Sequence, residues 1–528
     1  MKNKHIALTM LLGTAIFTSC SDDIQKYNEN PNSPEVVPTS TIFNSATKEY
    51  TDFMRDGFNQ GRLTLPWLQY WGQNSYADED RYLYRETTAQ SIYQNSYLVA
   101  TDLKSIIDLN TDEATRDQQA ANGNNDNQIA ASRIMLSYVF HKLTDTFGDV
   151  PYYSYGTEDP DFQALQVGTV LSPVFAPQEK IYADILSELQ AASAMINTSE
   201  PVFTSGDNIF NGDAVKWKKF ANSLILRVAN RLRNVDPATA NAAITQALAA
   251  GVMTSNDDNA VQSYEAADAT ASPLWVAYIT RTDFAVTNTF VRVLKGETGN
   301  FGLDPRLFEY AAPSSASIGA IKGNSYERSE DPADYQGLPY AFPQVQRLPF
   351  DTYTFPSSNV LRPDYGEVLM EYAEVQFIIS EHNGFSQAEY EEGVRASMAK
   401  WGVASADIDA FVSSLPAANE ENVLNQKWVA LYMQAHEAWA EYRRTGFPSL
   451  IKLPGDVIEL APNQVAALPA ESRVTSYVFE PRIEIDDLPK RLSYPQILQT
   501  LNGENRAAAA SGLSDGDTVN SALFWDVD

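Results

Sequence analysis

One cysteine, Cys20, in 528 residues excludes an internal disulfide and a cysteine-based zinc cluster, and leaves no catalytic thiol once that residue is used at the terminus. Histidine is nearly as scarce: past His5 only His141, His382 and His436 occur, far apart and without H-E-x-x-H spacing, so no metal site is written in the chain. There is no Gly-Lys pair and no G-x-G-x-x-G, which removes the phosphate loop and the dinucleotide fingerprint. Basic charge is short as well, 38 Lys and Arg against 68 Asp and Glu for a net charge of -30. That field repels phosphate backbones, and nucleic acid is not an expected partner. Beyond the N-terminus no apolar run approaches the roughly 18 residues of a membrane-spanning helix.

Two partial motifs fail on context. Gly512-Leu513-Ser514-Asp515-Gly516 matches a nucleophile elbow, but alanines and turn residues surround it and no histidine follows. Asp108-x-Asn110-x-Asp112 opens like a calcium loop, yet position six is Glu113 and position twelve is Gln119. No catalytic residue, metal ligand or cofactor is expected. With 68 acids a glycosidase carboxylate pair remains an alternative that spacing along the chain does not address.

What is present begins at the N-terminus. Lys2 and Lys4 precede a 12-residue apolar run, Ile6 to Phe17, and small residues lead to Cys20. This is the layout of a signal peptide over residues 1–19 followed by a lipidated cysteine, an anchor of lipid rather than of a spanning helix. Ser21-Asp22-Asp23 resembles the surface-export signal of Bacteroidota-type lipoproteins, with a solvated acidic linker as the alternative, and the proline- and asparagine-rich stretch to Pro38 completes an extended tether, 20–38. Residues 39–528 are then expected as a single, mostly helical domain.

Apolar residues make up 44 % of the chain, and their spacing is helical. Leu136, Phe140, Leu143 and Phe147 form one stripe, Ile181 to Ile196 a second and Trp217 to Leu232 a third. Asn422 to Arg444 reads as one long helix, with Arg443 and Arg444 as a charged end, Gly446 as a left-handed stop and Pro448 beyond it. Ser386 and Glu389 have capping-box spacing. Between about 260 and 365 the periodicity lapses into long irregular loops with minor short β-hairpins, and a connection of that length is more often functional than idle. No 34-residue repeat is visible.

Aromatics are concentrated. From Trp67 to Tyr97 there are eight Trp or Tyr residues and no Phe. Tyr93 and Tyr97, four apart, suit a packed helix face. Trp67, Trp71 and Tyr76, with Asp80 and Arg81, are candidates for ligand contact, since rings stack on sugar faces or peptide side chains while charged groups supply directional bonds. Trp275, Tyr278 and Asp283 form a second candidate cluster at the start of the irregular region.

Several segments resemble the SusD/RagB family of nutrient-binding outer-membrane lipoproteins. They are the lipobox, Tyr27-Asn28-Glu29-Asn30-Pro31-Asn32, Leu143 to Tyr152, Asp304-Pro305-Arg306-Leu307, Gln426 to Leu431, Glu437 to Gly446 and Leu488 to Pro495. The resemblance implies a tetratricopeptide-like helix-pair scaffold whose irregular loops carry the ligand site. It implies a SusC-like TonB-dependent β-barrel transporter as partner, with the lipoprotein as a lid at the cell exterior. The expected ligand is an oligosaccharide, with an oligopeptide as the alternative and an anchored helical glycoside hydrolase as a more distant one.

Overall fold

The computed structural model describes residues 37–527; the leader, Cys20 and the tether up to residue 36 lie outside the described residues. Helices dominate. Those that build the scaffold are α1 (Thr39–Met54), α2 (Glu86–Thr111), α3 (Asn125–Phe147), α4 (Gln178–Met195), α5 (Ala214–Arg231) and α6 (Pro237–Ala250). Each packs on the next in chain order, as expected of antiparallel helix pairs that each bury one apolar stripe on a neighbour. The three stripes read from the sequence lie on α3, α4 and α5.

A second group continues the scaffold: α9 (Tyr372–His382), α10 (Gln387–Lys400), α11 (Ser405–Ser414), α12 (Glu420–Ala430) and α13 (Ala435–Thr445). Between the groups run loops, the short helices α7 (Pro273–Thr280) and α8 (Asn288–Leu294), and three of the six strands among the described residues. The strands are β1 (Trp71–Gln73), β2 (Ala260–Gln262), β3 (Phe284–Val286), β4 (Glu367–Met370), β5 (Val457–Glu459) and β6 (Ser476–Val478). They pair antiparallel as β1–β3, β2–β4 and β5–β6. The first two pairs join segments more than 100 residues apart in sequence. They clamp loops together over long range and are not the hairpins expected.

The helix anticipated from Asn422 to Arg444 is two helices. At the break, Met433 takes a left-handed φ of 70°, and its freed carbonyl accepts from Arg55 Nη1 at 3.1 Å and Gln60 Nε2 at 2.9 Å. Tertiary hydrogen bonds thus replace the lost helical ones, an exchange that no local pattern records. Gly446 does stop α13 in the left-handed conformation, φ 68°, where a Cβ would be costly. Ser386 precedes α10, but its hydroxyl bonds the Glu389 carboxylate and caps no amide.

Arg443 and Arg444 are buried, so they are not a solvated helix end. Arg444 reaches Glu381 at 2.7 Å and Glu441 at 2.8 Å, Lys427 reaches Glu441 at 2.6 Å, and Arg227 pairs with Glu374 at 2.6 Å. Glu437 receives Lys142, Arg231 at 2.5 Å and Arg227 at 3.5 Å. These groups lie on α3, α5, α9, α12 and α13, so matched buried charges tie both helix groups together. Removing one partner from such a network costs about 3–5 kcal/mol.

Candidate functional site

The two aromatic segments singled out from sequence meet through β1 and β3, which pair Trp71 with Val286 and Gln73 with Phe284. The Asn74 amide donates to the Asp283 carbonyl at 2.9 Å, and its side chain donates to the Thr282 carbonyl at 2.5 Å. Behind the pair, Gly61 lies so close to Phe284 that a Cβ would come within 2.8 Å of the ring. Gln69, at a φ of 56°, accepts from Thr289 Oγ1 at 2.7 Å and Lys452 N at 2.9 Å through its side-chain oxygen. The result is a platform of long-range contacts.

Most of the candidate residues build this platform from inside. Trp67 and Trp71 have no exposed surface, so neither ring offers a face to a ligand. Trp67 Nε1 donates to the Glu79 carbonyl at 3.3 Å and its ring packs edge-on to Trp439. Trp71 Nε1 donates to the Tyr432 hydroxyl at 2.9 Å. Tyr278 is buried and donates to the Phe284 carbonyl at 2.7 Å. Asp80 is also buried and accepts from the Gln73 amide at 2.9 Å. Burial pushes its carboxyl well above the usual carboxylate range, with the Gln73 amide pulling the other way. Tyr93 and Tyr97 pack ring to ring at 4.9 Å on α2.

The rest remain accessible. Tyr76 is 48 % exposed. Arg81 bonds the Glu480 carbonyl at 2.6 Å through Nε, with burial and the neighbouring Arg482 lowering its pKa. Trp275 is half-buried on α7, with Lys322 Nζ 5.1 Å from its ring centroid.

The structure adds residues that sequence density did not flag. Phe58, 54 % exposed, and Tyr76 flank the Arg62 guanidinium, whose carbon lies 5.0 Å from the Phe58 ring centroid and 5.8 Å from that of Tyr76. Arg62 also lies 3.5 Å from Glu79 and 3.5 Å from Asp283. Asp283 in turn pairs with Arg281 at 2.8 Å, and hydrogen bonding to Asp283 and Tyr76 raises the Arg281 pKa. Val276 and Ile279 of α7 are exposed, and Gly57 would bring a Cβ to 3.1 Å from Ala277. The only local sequence signal is Asp56-Gly57-Phe58-Asn59, an aromatic in a turn. Arg62 is buried and Asp283 nearly so, so they brace the two exposed rings from below, and the rings with the exposed Arg281 suit a flat polar ligand held by stacking and directional hydrogen bonds.

A helix-pair scaffold that carries a loop-built aromatic and guanidinium surface defines a class of ligand-binding protein. The chain belongs to the SusD-like family: residues 31–466 match the family model described as "Starch-binding associating with outer membrane", and residues 416–526 match "Susd and RagB outer membrane lipoprotein". Members of this outer-membrane lipoprotein family are known as binding proteins, and the chain is a nutrient-binding protein of the outer membrane on that basis. Among the described residues no helix is long and apolar enough to cross a membrane. A chitin-binding SusD homolog from Flavobacterium johnsoniae superposes with a TM-score of 0.65 at 22 % identity, covering 92 % of this chain and 99 % of that one. SusD homologs from Bacteroides fragilis (TM-score 0.69, 20 % identity, 93 % and 100 % covered) and Bacteroides uniformis (0.67, 20 %, 92 % and 99 %) are similar. At these identities the likeness establishes the fold. No curated protein matches the chain in sequence.

Proposed function

We propose that this protein captures oligosaccharides at the surface formed by Phe58, Arg62, Tyr76, Arg281 and Asp283 and passes them to a SusC-like TonB-dependent barrel. Cys20 carries the lipid that holds it on the outer face of the outer membrane, and residues 39–528 act as one helical domain that binds without catalysis. The observation that carries this reading is the pair of exposed rings, Phe58 and Tyr76, on either side of Arg62. Trp275 and Arg81 border the platform, and Trp67, Trp71, Asp80 and Tyr278 position it from below. The chitin-binding homolog makes chito-oligosaccharides the first probe.

The purified chain is titrated calorimetrically with a pool of neutral oligosaccharides that includes chito-oligosaccharides, then with a tryptic digest. Heat from the sugars that disappears in the Phe58→Ala/Tyr76→Ala variant supports the proposal. Heat from the digest alone replaces oligosaccharide with oligopeptide. Turnover of any oligosaccharide would make the protein a hydrolase and overturn the reading. Recovery of the barrel by cross-linking in native outer membranes tests the partner.

A further inference from the structure

A second cavity shares no lining residue with the Phe58 surface, and the only charged side chains in its wall are cations. Its volume is about 420 Å³ and it opens between β4, the end of α10 and the loop around residue 360. That is within the range of small-ligand sites, about 300–1,000 Å³. The charged side chains that line it are Arg362 and Lys400, both cationic, on a protein of net charge -30.

Each cation has a counter-ion outside the lining. Lys400 Nζ bonds the buried Glu371 at 2.6 Å, which fixes its position. Arg362 makes only a 3.7 Å contact with Asp364, and both side chains are about half exposed. An exposed pair at that distance is weak and yields readily to a bidentate partner. The guanidinium is thus free to turn toward a ligand.

The walls are suited to a ring with hydroxyls. Asn359 contributes an amide, and it is anchored by donating to Glu309 Oε2 at 2.6 Å. Trp401 and Tyr365 line the cavity as a stacked pair. Both rings are largely buried, so they form a firm floor to the cavity. Across Gly402 lies a larger cavity of about 610 Å³, lined by Glu309, Glu330 and Asp407 against Arg328. The change of sign across one glycine sets the anion preference of the smaller cavity apart from its surroundings.

We propose that this cavity is a second carbohydrate site that takes a carboxylated sugar, a uronic acid residue, with Arg362 and Lys400 holding the carboxylate and Asn359 a ring hydroxyl. The proposal rests on the reading of the protein as a glycan binder. A carboxylate would displace the weak Asp364 contact of Arg362, while the distant negative charge of the chain is screened beyond the Debye length of about 8 Å at physiological salt.

The test is calorimetric titration of the purified chain with galacturonate and digalacturonate, against galactose, and against acetate and sulfate at equal ionic strength. The expected result is uronate binding at least tenfold tighter than galactose, weakened at least tenfold by Arg362→Ala, largely kept by Arg362→Lys and lost in Arg362→Glu. Arg362 is half exposed, so these variants keep the fold, and an unchanged melting temperature verifies it. The proposal is overturned if galactose binds as well as galacturonate, if the Arg362 variants bind like the parent, or if acetate or sulfate binds as tightly as the sugar acid, which would mark a bare anion site. Phe58→Ala/Tyr76→Ala separates the two readings: it should abolish neutral-oligosaccharide heat and leave galacturonate heat intact. Loss of uronate binding alone sinks this site, and failure of neutral binding alone sinks the Phe58 surface.

Discussion

Replacing Glu367 by Gln should stabilise the protein above neutral pH and flatten its pH dependence. Glu367 lies on β4, wholly buried, and neither carboxylate oxygen has a hydrogen-bond partner among the described residues. Burial pushes the carboxyl from an ordinary value of 4.5 up to about 8; Arg55 and Lys400 pull it down and Asp52 pushes it further up. The sign follows from proton counting. Between these values the folded state holds a proton that the unfolded chain has released, so stability is fully present below pH 4.5 and is lost as pH rises toward 8. At about 1.4 kcal/mol per pH unit, the span from 4.5 to 8 corresponds to an upper limit of ~5 kcal/mol. The clean window is pH 6.5 to 8, worth roughly 2 kcal/mol by the same factor. His141 and His436 are held neutral in the fold and unfolded histidine, half charged at about pH 6.5, is largely neutral above about pH 7, while Lys142, lowered to about 8, changes the balance mainly above that pH. Urea unfolding of parent and Glu367→Gln at half-unit steps from pH 5 to 8.5 measures it. The parent should lose stability more steeply across the window than the variant, which keeps only the slope that other raised carboxyls such as Asp80 impose, the two converging near pH 5. A variant with the parent's slope, or one weaker than the parent at pH 8, would refute the argument.

Gly61→Ala should cost about 1–3 kcal/mol by overpacking, because the new Cβ would lie 2.8 Å from the Phe284 ring; urea midpoints measure it, and Phe284→Leu in the same chain should restore part of the loss. Glu437→Gln leaves Lys142, Arg231 and Arg227 without their shared carboxylate and should lower stability by about 3–5 kcal/mol, read by denaturant unfolding at pH 7. Acidification should destabilise the parent between pH 6.5 and 3 through His141, whose pKa burial depresses to about 3. The unfolded chain takes up that proton first, so His141→Gln should shallow the acid limb of a melting-temperature profile. Phe58→Ala/Tyr76→Ala removes exposed rings and should shift stability by no more than about 0.5 kcal/mol per site, while sugar affinity falls at least tenfold in calorimetry.

Much of the scaffold was legible in the sequence because helical packing is recorded locally. A stripe such as Trp217, Ala221, Leu224, Val228 and Leu232 has one way to be buried, and the residues of α3, α4 and α5 follow it. Gly446 stops α13 for an equally local reason, a backbone angle that glycine adopts without strain. The family was legible too, since its segments recur in order along the chain.

The candidate surface was legible only by region. The sequence located the two segments that β1 and β3 join, but not which of their rings face water. Trp67, Trp71 and Tyr76 share one composition and one stretch of chain, yet the first two are buried and the third is exposed. That division depends on partners hundreds of residues away, Trp439 and Tyr432, which no local period encodes. The same holds where Met433 breaks a helix to give its carbonyl to Arg55, and where Arg443 turns inward to the Asp145 carbonyl and Arg444 to the Glu381 carboxylate, each on another helix. The sequence by itself determined the apolar stripes of α3, α4 and α5, the stop at Gly446 and the family, because these rest on short-range spacing. The tertiary structure decided which aromatics are floor and which are surface, because burial is set by long-range contact.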